Sequence, residues 1–338
     1  MLEFYNSSKK QGENVKKIYT LVLAAFVAMS MVACNGTASA PAKPKVIQDV
    51  QVFTSANADG KVTTKSIEDA FDSVGLSVPG NNDMNKPFSL RFKKTYYKTY
   101  NLAMYISNDL TFNLIKKYPQ FGALTPLTMS IWEDKDGNMN VSTLTINGMA
   151  RATQIPVNDP DLVAYGLLIE KALKTAMPNG HFKELAYTPS HNGKPLQVNF
   201  STEVELDEDA TMEDYVEDFE TEFEGELEPA GFLLPNYTNV QEEIFDDKGY
   251  TDVYDFFHTY SICKFEVIFP VSKLHPEAGA WAPCSFYLYK KKDENVMKMG
   301  FLSVENWITT VDIQDKESIE PLQKAQNTIK EVINSIIE

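Results

Sequence analysis

The sequence predicts an α+β fold that is built twice, as two tandem repeats that each form an antiparallel sheet with amphipathic helices on one face. Segments with alternating apolar residues, typical of strands, outnumber the helical segments and are joined mostly by hairpins. The same order of elements recurs about 157 residues later in the chain. An apolar fraction of 43% over 338 residues is ordinary for a folded protein and allows about two domains.

The first repeat is predicted to open with a strand and an amphipathic helix. The strand VQVFTSA begins at Val50 and alternates with period two. Ser66 or Thr64 can cap the helix that follows, and Gly75 can end it. The apolar residues of this helix recur at helical spacing on one face: Ile67, Ala70, Phe71 and Val74.

The rest of the repeat is predicted to contain an aromatic strand, a hairpin and a closing helix. The strand YYKTYNLAMYI is followed by a short helix that leads into Pro119. LTMSIWED and NMNVSTLTI form the hairpin, because Asp136-Gly137 between apolar strands is a strong turn signal. Asp159 caps the closing helix and Pro160 begins it, at the position where helices favour proline.

The second repeat follows the same order, from the strand VNFSTEVEL through a helix capped by Thr211 to a C-terminal helix. Gly122 aligns with Gly279 and Pro126 with Pro283, and no gap is needed from there to the C-terminus. Glycine and proline control backbone geometry, so their recurrence in one order indicates repeats at residues 46–180 and 181–338. Because identical subunits commonly pack about two-fold axes, we expect a monomer whose repeats pack about a pseudo-two-fold axis.

A signal peptide is predicted over residues 1–33. Lys16 and Lys17 precede an uncharged, mostly apolar run at residues 18–33, which is shorter than the roughly 20 residues that span a bilayer core. A compact signal would begin at Val15, so we expect translation to start there and residues 1–14 not to be made.

Lipidation is expected at Cys34. The preceding residues, Met31-Val32-Ala33, resemble a bacterial lipobox, although leucine is usual in place of Met31; a lipid such as palmitate would be attached to the cysteine. The small, proline-containing residues 34–45 have the composition of a tether. We therefore expect a lipoprotein of the bacterial cell envelope, anchored to a membrane through Cys34, with its folded part in the periplasm. A secreted protein with an unmodified Cys34 is the alternative.

At these residues the chain resembles the family called domain of unknown function 302. The shared features are an amphipathic helix that ends in glycine, an aromatic strand, a short helix, a glycine, a proline that opens a strand, and an acidic turn. In the first repeat they fall at Gly75, Gly122, Pro126, Trp132 and Asp136-Gly137. In the second they fall at Gly231, Gly279, Pro283-Cys284, Tyr289 and Asp293. The resemblance implies a compact α+β domain and no agreed reaction, so no functional residue is transferred.

The cysteines and histidines show no metal-ligand spacing, so no metal and no cofactor is predicted. Cys263 and Cys284 align with the apolar residues Ile106 and Leu127, which favours buried free thiols; a disulfide in an oxidising compartment is the alternative. The histidines nearest to Cys284 in the repeat pattern are His258 and His275. They align with Asn101 and Tyr118, and hydrogen-bonded structural roles are favoured over a site for both.

Two further clusters are candidate sites. Residues 203–228 contain fourteen carboxylates and no basic residue, which indicates a strand followed by a solvated helix face; weak calcium binding is the alternative. The aromatic strands carry Tyr97 and Tyr100 in the first repeat and Tyr254 and Phe257 in the second. Such residues form sheet core or, alternatively, the walls of a ligand pocket.

The net charge of −16 argues against nucleic-acid partners, and no hydrolase, P-loop or dinucleotide motif appears. The favoured hypothesis is a noncatalytic binding module for a small apolar or aromatic ligand or for an envelope partner. Its candidate ligand contacts are Tyr97, Tyr100, Tyr254, Phe257, His258, His275 and Cys284. The alternatives are a structural envelope protein without a ligand, and an enzyme that uses His275 or His258 with Cys284. The enzyme requires a pocket in which one histidine reaches Cys284 or a carboxylate.

Overall fold

The computed structural model describes residues 47–338. The predicted signal peptide, Cys34 and the predicted tether therefore lie outside the described residues. The described chain lies within one compact unit and contains two antiparallel sheets with helices, so the prediction of an α+β fold is confirmed. No helix in residues 47–338 combines the length and the apolar composition that a membrane span requires.

Residues 50–182, called the first half below, contain six strands and five α-helices. The strands are β1 Val50–Ala56, β2 Ser77–Asp83, β3 Tyr100–Ile106, β4 Leu127–Glu133, β5 Asn138–Leu144 and β6 His181–Phe182. The helices are α1 Thr64–Ser73, α2 Asn85–Phe92, α3 Asn108–Lys117, α4 Ile146–Thr153 and α5 Pro160–Ala176, with a 3-10 helix at Pro119–Leu124. The strands form one sheet in the order β2-β3-β4-β5-β1-β6.

Residues 197–338, called the second half, contain five strands and four α-helices. The strands are β7 Gln197–Glu203, β8 Leu233–Asn239, β9 Tyr254–Cys263, β10 Cys284–Lys291 and β11 Val296–Leu302. The helices are α6 Met212–Leu227, α7 Phe265–Leu274, α8 Glu305–Thr310 and α9 Lys316–Ile337; a π-helix lies at Gln241–Phe245 and 3-10 helices at Asp246–Lys248 and Pro276–Trp281. The sheet order is β7-β11-β10-β9-β8.

The two sheets share one strand order once β6 is set aside. Read from one edge, β2-β3-β4-β5-β1 corresponds to β8-β9-β10-β11-β7. The pairing registers agree as well, because Asp83 pairs with Asn101 as Asn239 pairs with His258. The strand β6 pairs with β1 through Phe182, so the first sheet extends two residues past the boundary expected after residue 180.

The hairpin departs from the ungapped alignment. Ser130 pairs with Ser142 in the first half, whereas Tyr287 pairs with Gly300 in the second, so the second turn is one residue longer. Gly137 takes a positive φ of 78° in the first turn, a conformation that glycine adopts without strain. The second turn has no glycine, and a longer loop avoids that conformation.

The helix caps largely follow the sequence pattern. Thr211 and Asp159 cap α6 and α5, as predicted. The cap of α1 is Thr63, one residue before the nearer of the two predicted caps. The Thr63 hydroxyl accepts a hydrogen bond from the backbone N–H of Ser66 at 3.0 Å, and the Ser66 hydroxyl accepts one from the N–H of Thr63 at 2.8 Å. This reciprocal pair is a capping box, in which Ser66 is the third helical residue.

Each sheet is covered by its own helices on one face and by the other half on the opposite face. A methyl group on Gly279 of the second half would lie 2.5 Å from Cβ of Ser130 in β4. A methyl group on Gly122 of the first half would lie 2.7 Å from Cβ of Tyr287 in β10. Ser130 and Tyr287 are equivalent residues of the two sheets, so the contact between the halves is reciprocal and each 3-10 helix requires glycine where it crosses the other sheet.

Candidate functional site

A polar cavity of about 400 Å³ lies in the second half, between α6, the end of β8 and the start of β9. We call it the acidic cavity. Its ionisable wall residues are Glu213, Glu217, Glu220, Glu242, Asp255 and His258. Its volume falls within the usual range of roughly 300–1,000 Å³ for small-molecule sites.

His258 is buried, with 5% of its surface exposed, and it lines this cavity. Its Nδ1 lies 2.8 Å from Oε1 of Glu220. An ionised carboxylate can only accept, so Nδ1 carries the proton and donates it to Glu220. Nε2 has no hydrogen-bond partner within residues 47–338, and it is not sealed inside the protein. In the neutral ring this nitrogen is therefore a free acceptor open to the cavity.

The acidic cavity concentrates negative charge. Glu213, Glu217 and Glu242 have no lysine or arginine partner within the described part of the chain, and Asp255 pairs with Lys290 at 2.5 Å. The pKa of Tyr237, which also lines the cavity, lies above its ordinary value because of burial first and then the negative charges of Glu220 and Glu242. The cavity thus favours positively charged groups.

The equivalent place in the first half is filled by a hydrogen-bonded network. Asn101, the counterpart of His258 in the strand register, donates to Oδ1 of Asn81 at 2.9 Å. Asn81 in turn donates to the carbonyl of Thr64 and to Oε2 of Glu68, both at 3.1 Å. The helix above this network, α1, has 10 residues, whereas α6 has 16. The additional N-terminal turns of α6 provide Glu213 and Glu217 to the cavity.

The four aromatic candidates lie in packed surroundings. Tyr100 and Tyr254 are each 2% exposed and Phe257 is fully buried, with its ring against Gly122 of the other half. Tyr97 is half-buried, and its hydroxyl donates to the carbonyl of Lys273 at 3.4 Å. None of the four lines the acidic cavity. Their role as ligand contacts stays a prediction, and their burial favours packing within and between the halves.

His275 forms a structural contact that has a counterpart in the first half. Its Nε2 lies 3.1 Å from Oδ2 of Asp315, the residue that caps α9. At the equivalent place the Tyr118 hydroxyl donates to Oδ2 of Asp159, the cap of α5, at 3.3 Å. His275 therefore does for the second half what a tyrosine does for the first.

Cys263 and Cys284 are free thiols. Burial raises the pKa of each to about 12, so both stay protonated at neutral pH and are poor nucleophiles and metal ligands. The two residues line an apolar cavity of about 50 Å³, which is far below the range of roughly 300–1,000 Å³ for small-molecule sites. Cys284 donates weakly to the carbonyl of Trp281, 3.6 Å away.

An apolar cleft of about 230 Å³ lies between the halves. Met84, Pro87 and Leu102 contribute from the first half, and Leu233 and Phe265 from the second. The hypothesis of an apolar ligand allows for a cleft between the repeats. However, none of the seven candidate ligand contacts lies in the wall of this cleft, which contains Cys263 instead. Its volume is below the usual range of roughly 300–1,000 Å³.

Metal-ligating geometry occurs once in residues 47–338, outside the acidic cavity. Oxygens of Glu68, Asp69 and Asp72 lie within 4.8 Å of one another. Lys65 is already 2.7 Å from Glu68 and 2.7 Å from Asp69, so one ammonium group pairs with two of the three carboxylates. Weak calcium binding is the alternative for residues 203–228. Within that segment no three carboxylates place their oxygens this close together.

Sequence reasoning missed Glu220 and Tyr237 as site residues. The acidic run was interpreted as a solvated face, yet the side chain of Glu220 is only 13% exposed. The available signal was its position between Phe219 and Phe223, which are buried on the apolar side of α6. A carboxylate on the flank of an apolar stripe faces the body of the protein, unlike its neighbours.

Comparison with known proteins finds a family similarity in the first half. Residues 52–176, from β1 to the end of α5, match the family model described as Domain of unknown function DUF302. A solved structure described as an uncharacterized conserved protein DUF302 from Bacillus stearothermophilus is similar, at 12% identity and a TM-score of 0.34, over 42% of this chain and 98% of the other. No curated protein matches the chain. The family similarity therefore covers residues 52–176, which is most of the first half.

Proposed function

We propose that the protein is a noncatalytic binding protein of the bacterial cell envelope, lipid-anchored through Cys34, and that its ligand site is the acidic cavity. The observation that carries this proposal is the difference between the halves at one position of the sheet. In the first half, the hydrogen-bonded network of Asn101 and Asn81 fills the space at this position. In the second half, a cavity of about 400 Å³ lies beside His258.

A binding role is supported by the inventory of groups at the cavity. His258 and Glu220 form an oriented pair, but no serine, threonine or cysteine hydroxyl or thiol is among the wall residues to act as a nucleophile. Of the two partners named in the enzyme hypothesis, Cys284 lines a different and smaller cavity, and the carboxylate that His258 reaches is Glu220. The pair of His258 and Glu220 therefore serves to hold and orient a ligand.

An apolar or aromatic ligand in the cleft between the halves is the second candidate. Leu233, at one side of this cleft, is 43% exposed, and a ligand bound in the cleft would cover it. The cleft is favoured less than the acidic cavity because it is smaller and has few polar groups to fix the orientation of a ligand.

We also propose that the halves arose by duplication of a DUF302-like unit and pack about a pseudo-two-fold axis in a monomer. The common strand order, the matching registers and the reciprocal contacts of Gly122 and Gly279 support this origin. The second copy would then have diverged from the first in two ways that created a site. Its helix α6 became longer, and His258 replaced an asparagine.

The ligand site is tested with a variant that carries the first-half residues at the cavity: His258→Asn, Tyr237→Asn and Glu220→Thr. Wild type and variant are incubated with a small-molecule extract of the periplasm, and the retained compounds are identified by mass spectrometry. We expect at least one compound that wild type retains and the variant does not. An Asp69→Asn variant, changed on exposed α1, is the control and should match wild type. Equal profiles for wild type and the triple variant would overturn the proposal.

The lipid anchor has a separate test. Cells that express the full chain are labelled with an alkyne analogue of palmitate, and the label is expected on wild type and on Cys284→Leu but not on Cys34→Ser. The Cys284→Leu control places the first-half residue at a half-buried position. Label that persists in Cys34→Ser would exclude Cys34 as the modified residue.

A further inference from the structure

We propose that the ligand of the acidic cavity is a small organic amine with two or more positive charges, rather than a metal ion. This inference rests on the proposed function, since it assigns a chemical class to the ligand of the same site. It is carried by the charge of the walls, by their hydrogen-bonding character, by the spacing of the carboxylates and by two aromatic rings.

The charge of the cavity walls calls for a cation. Glu213, Glu217 and Glu242 lack lysine or arginine partners in the described chain, and Glu220 is matched only by the imidazole of His258. Such a set of like charges is unfavourable until a cation enters, and the attraction is stronger in a partly enclosed cavity than in open water.

Most of the polar atoms that are free to meet a ligand are carboxylate oxygens. Carboxylate oxygens cannot donate hydrogen bonds. In the neutral ring Nε2 of His258 is an acceptor as well, because Nδ1 then carries the proton that is donated to Glu220. The side chain of His258 is 7% exposed, and its Nε2 has no hydrogen-bond partner among the described residues. A ligand with several N–H donors satisfies these acceptors, whereas a ligand that only accepts leaves them unpaired.

The spacing of the carboxylates disfavours a single metal ion. Calcium takes six to eight oxygens at roughly 2.3–2.6 Å, so its ligand atoms must converge on one point. In residues 47–338, no three histidine, cysteine or carboxylate ligand atoms of the cavity lie within 4.8 Å of one another. Positive charges that are separated along a short chain match dispersed carboxylates better than one point charge does.

Aromatic rings provide for the apolar part of such a ligand. Tyr237 and Phe256 both line the cavity, and their ring centroids each lie 5.4 Å from the imidazole of His258. Aromatic faces attract ammonium groups and also pack against the methylene groups that join them. The walls therefore combine charge at the ends of a ligand with apolar contact along its length.

Isothermal titration calorimetry at 0.15 M salt tests the proposal with four probes: spermidine, putrescine, 1,4-butanediol and calcium chloride. Putrescine and butanediol have the same carbon chain and differ in charge. We expect spermidine and putrescine to bind, butanediol not to bind, and calcium to bind at least tenfold more weakly than spermidine. Butanediol binding as well as putrescine, or calcium binding more tightly than spermidine, would overturn the inference.

Two glutamine variants of α6 separate the cavity from the general field of an acidic helix. Glu217→Gln removes a charge from the cavity wall, and Glu222→Gln removes the same charge from an exposed residue of α6 outside it. Both positions are exposed, so both variants are expected to fold. Spermidine affinity should fall at least threefold in Glu217→Gln and less than 1.5-fold in Glu222→Gln. Equal losses would mean that amines bind the helix surface and not the cavity.

The failure of this inference is distinguishable from failure of the proposed function. If the triple variant loses a compound from the periplasmic extract while neither amine binds wild type, the cavity is a ligand site for another chemical class. If neither amine binds and the extract profiles are also equal, the acidic cavity is not a ligand site.

Discussion

The two halves have different side chains at equivalent positions of their sheets. The side chains of the first half fill the space beneath the covering helix, whereas those of the second half leave a cavity there. In the first half Asn101 and Asn81 hydrogen-bond to each other and to α1. In the second half His258 bonds to Glu220 of a longer helix, and a cavity remains beside it. A common strand order therefore permits both a closed network and an open cavity, and the side chains together with the length of the covering helix decide which is formed.

A second comparison shows where a histidine carries no functional information. The hydroxyl of Tyr118 and Nε2 of His275 contact the capping aspartates Asp159 and Asp315 in the same way. Both contacts connect a 3-10 helix to the start of a later helix. The equivalent residue in the other half therefore helps to judge each candidate. His275 has an equivalent that makes the same structural contact, whereas the pair of His258 and Glu220 has no such equivalent.

The largest effect is expected at the reciprocal contact between the halves. Gly122→Ala and Gly279→Ala should each lower the free energy of unfolding by about 1–3 kcal/mol, because the new methyl group overlaps the opposite sheet. Gly225→Ala, in α6 with nothing within 4 Å, is the control and should raise stability by about 0.5–1 kcal/mol. Urea denaturation measures all three. A loss confined to one of the two contact glycines would contradict the reciprocity of the halves.

A smaller effect is expected from opening the network of the first half. Asn101→Ala should cost about 1–2 kcal/mol, since Asn101 is 6% exposed and its removal leaves Oδ1 of Asn81 without a donor. Asn327→Ala, at an exposed position of α9, should change stability by less than about 0.5 kcal/mol. Thermal unfolding followed by circular dichroism makes the comparison. Equal melting temperatures for the two variants would show that the network does not stabilise the first half.

The smallest effect is expected at the capping aspartates and depends on pH. Burial alone would raise the pKa of Asp159, but hydrogen bonds from Lys117 and from backbone N–H groups outweigh it and lower the pKa below 3.8. The pKa of Asp315 is lowered too, where burial is outweighed by hydrogen bonds from Ser318 and His275. A lowered folded-state pKa stabilises the fold above the ordinary pKa, and this stabilisation is lost as pH falls through the folded-state value.

Asp159→Asn and Asp315→Asn test this contribution, since asparagine caps a helix about as well as aspartate but carries no charge. At pH 7 each variant should be less stable than wild type by roughly 0.5–1 kcal/mol, and the difference should shrink as pH falls below 4. The Asp159 variant should show the larger loss, because Lys117 is fully charged and lies 2.6 Å away. Urea denaturation from pH 3 to 7 measures both. A difference that does not change with pH would assign the effect to packing.

Local patterns in the sequence predicted the elements well. The apolar spacing of Ile67, Ala70 and Phe71 placed their side chains in the core, and the caps at Asp159 and Thr211 were predicted because capping depends on residues within one helical turn. The misplaced cap of α1 and the longer second turn have the same cause. Several adjacent residues can satisfy one backbone N–H, and loop length depends on whether a glycine is present to take a positive φ.

Local sequence patterns could not predict the acidic cavity. Its walls come from α6, β8, β9 and the segment at Glu242, which are distant in the chain and meet only after the sheet is formed. The acidic composition of residues 203–228 was evident, but composition does not say which carboxylate turns inward. Only the distance between Glu220 and His258 separates the one carboxylate that orients a histidine from the exposed ones.

By itself, the sequence determined the α+β class, the positions of the helices and strands and the faces they bury, because these depend on side-chain periodicity and on residues close together in the chain. The tertiary structure alone decided that each half covers the other's sheet through a glycine, and that one position is sealed while its counterpart is open. Those outcomes depend on the space left between elements, and space is a property of the packed chain rather than of any segment of it.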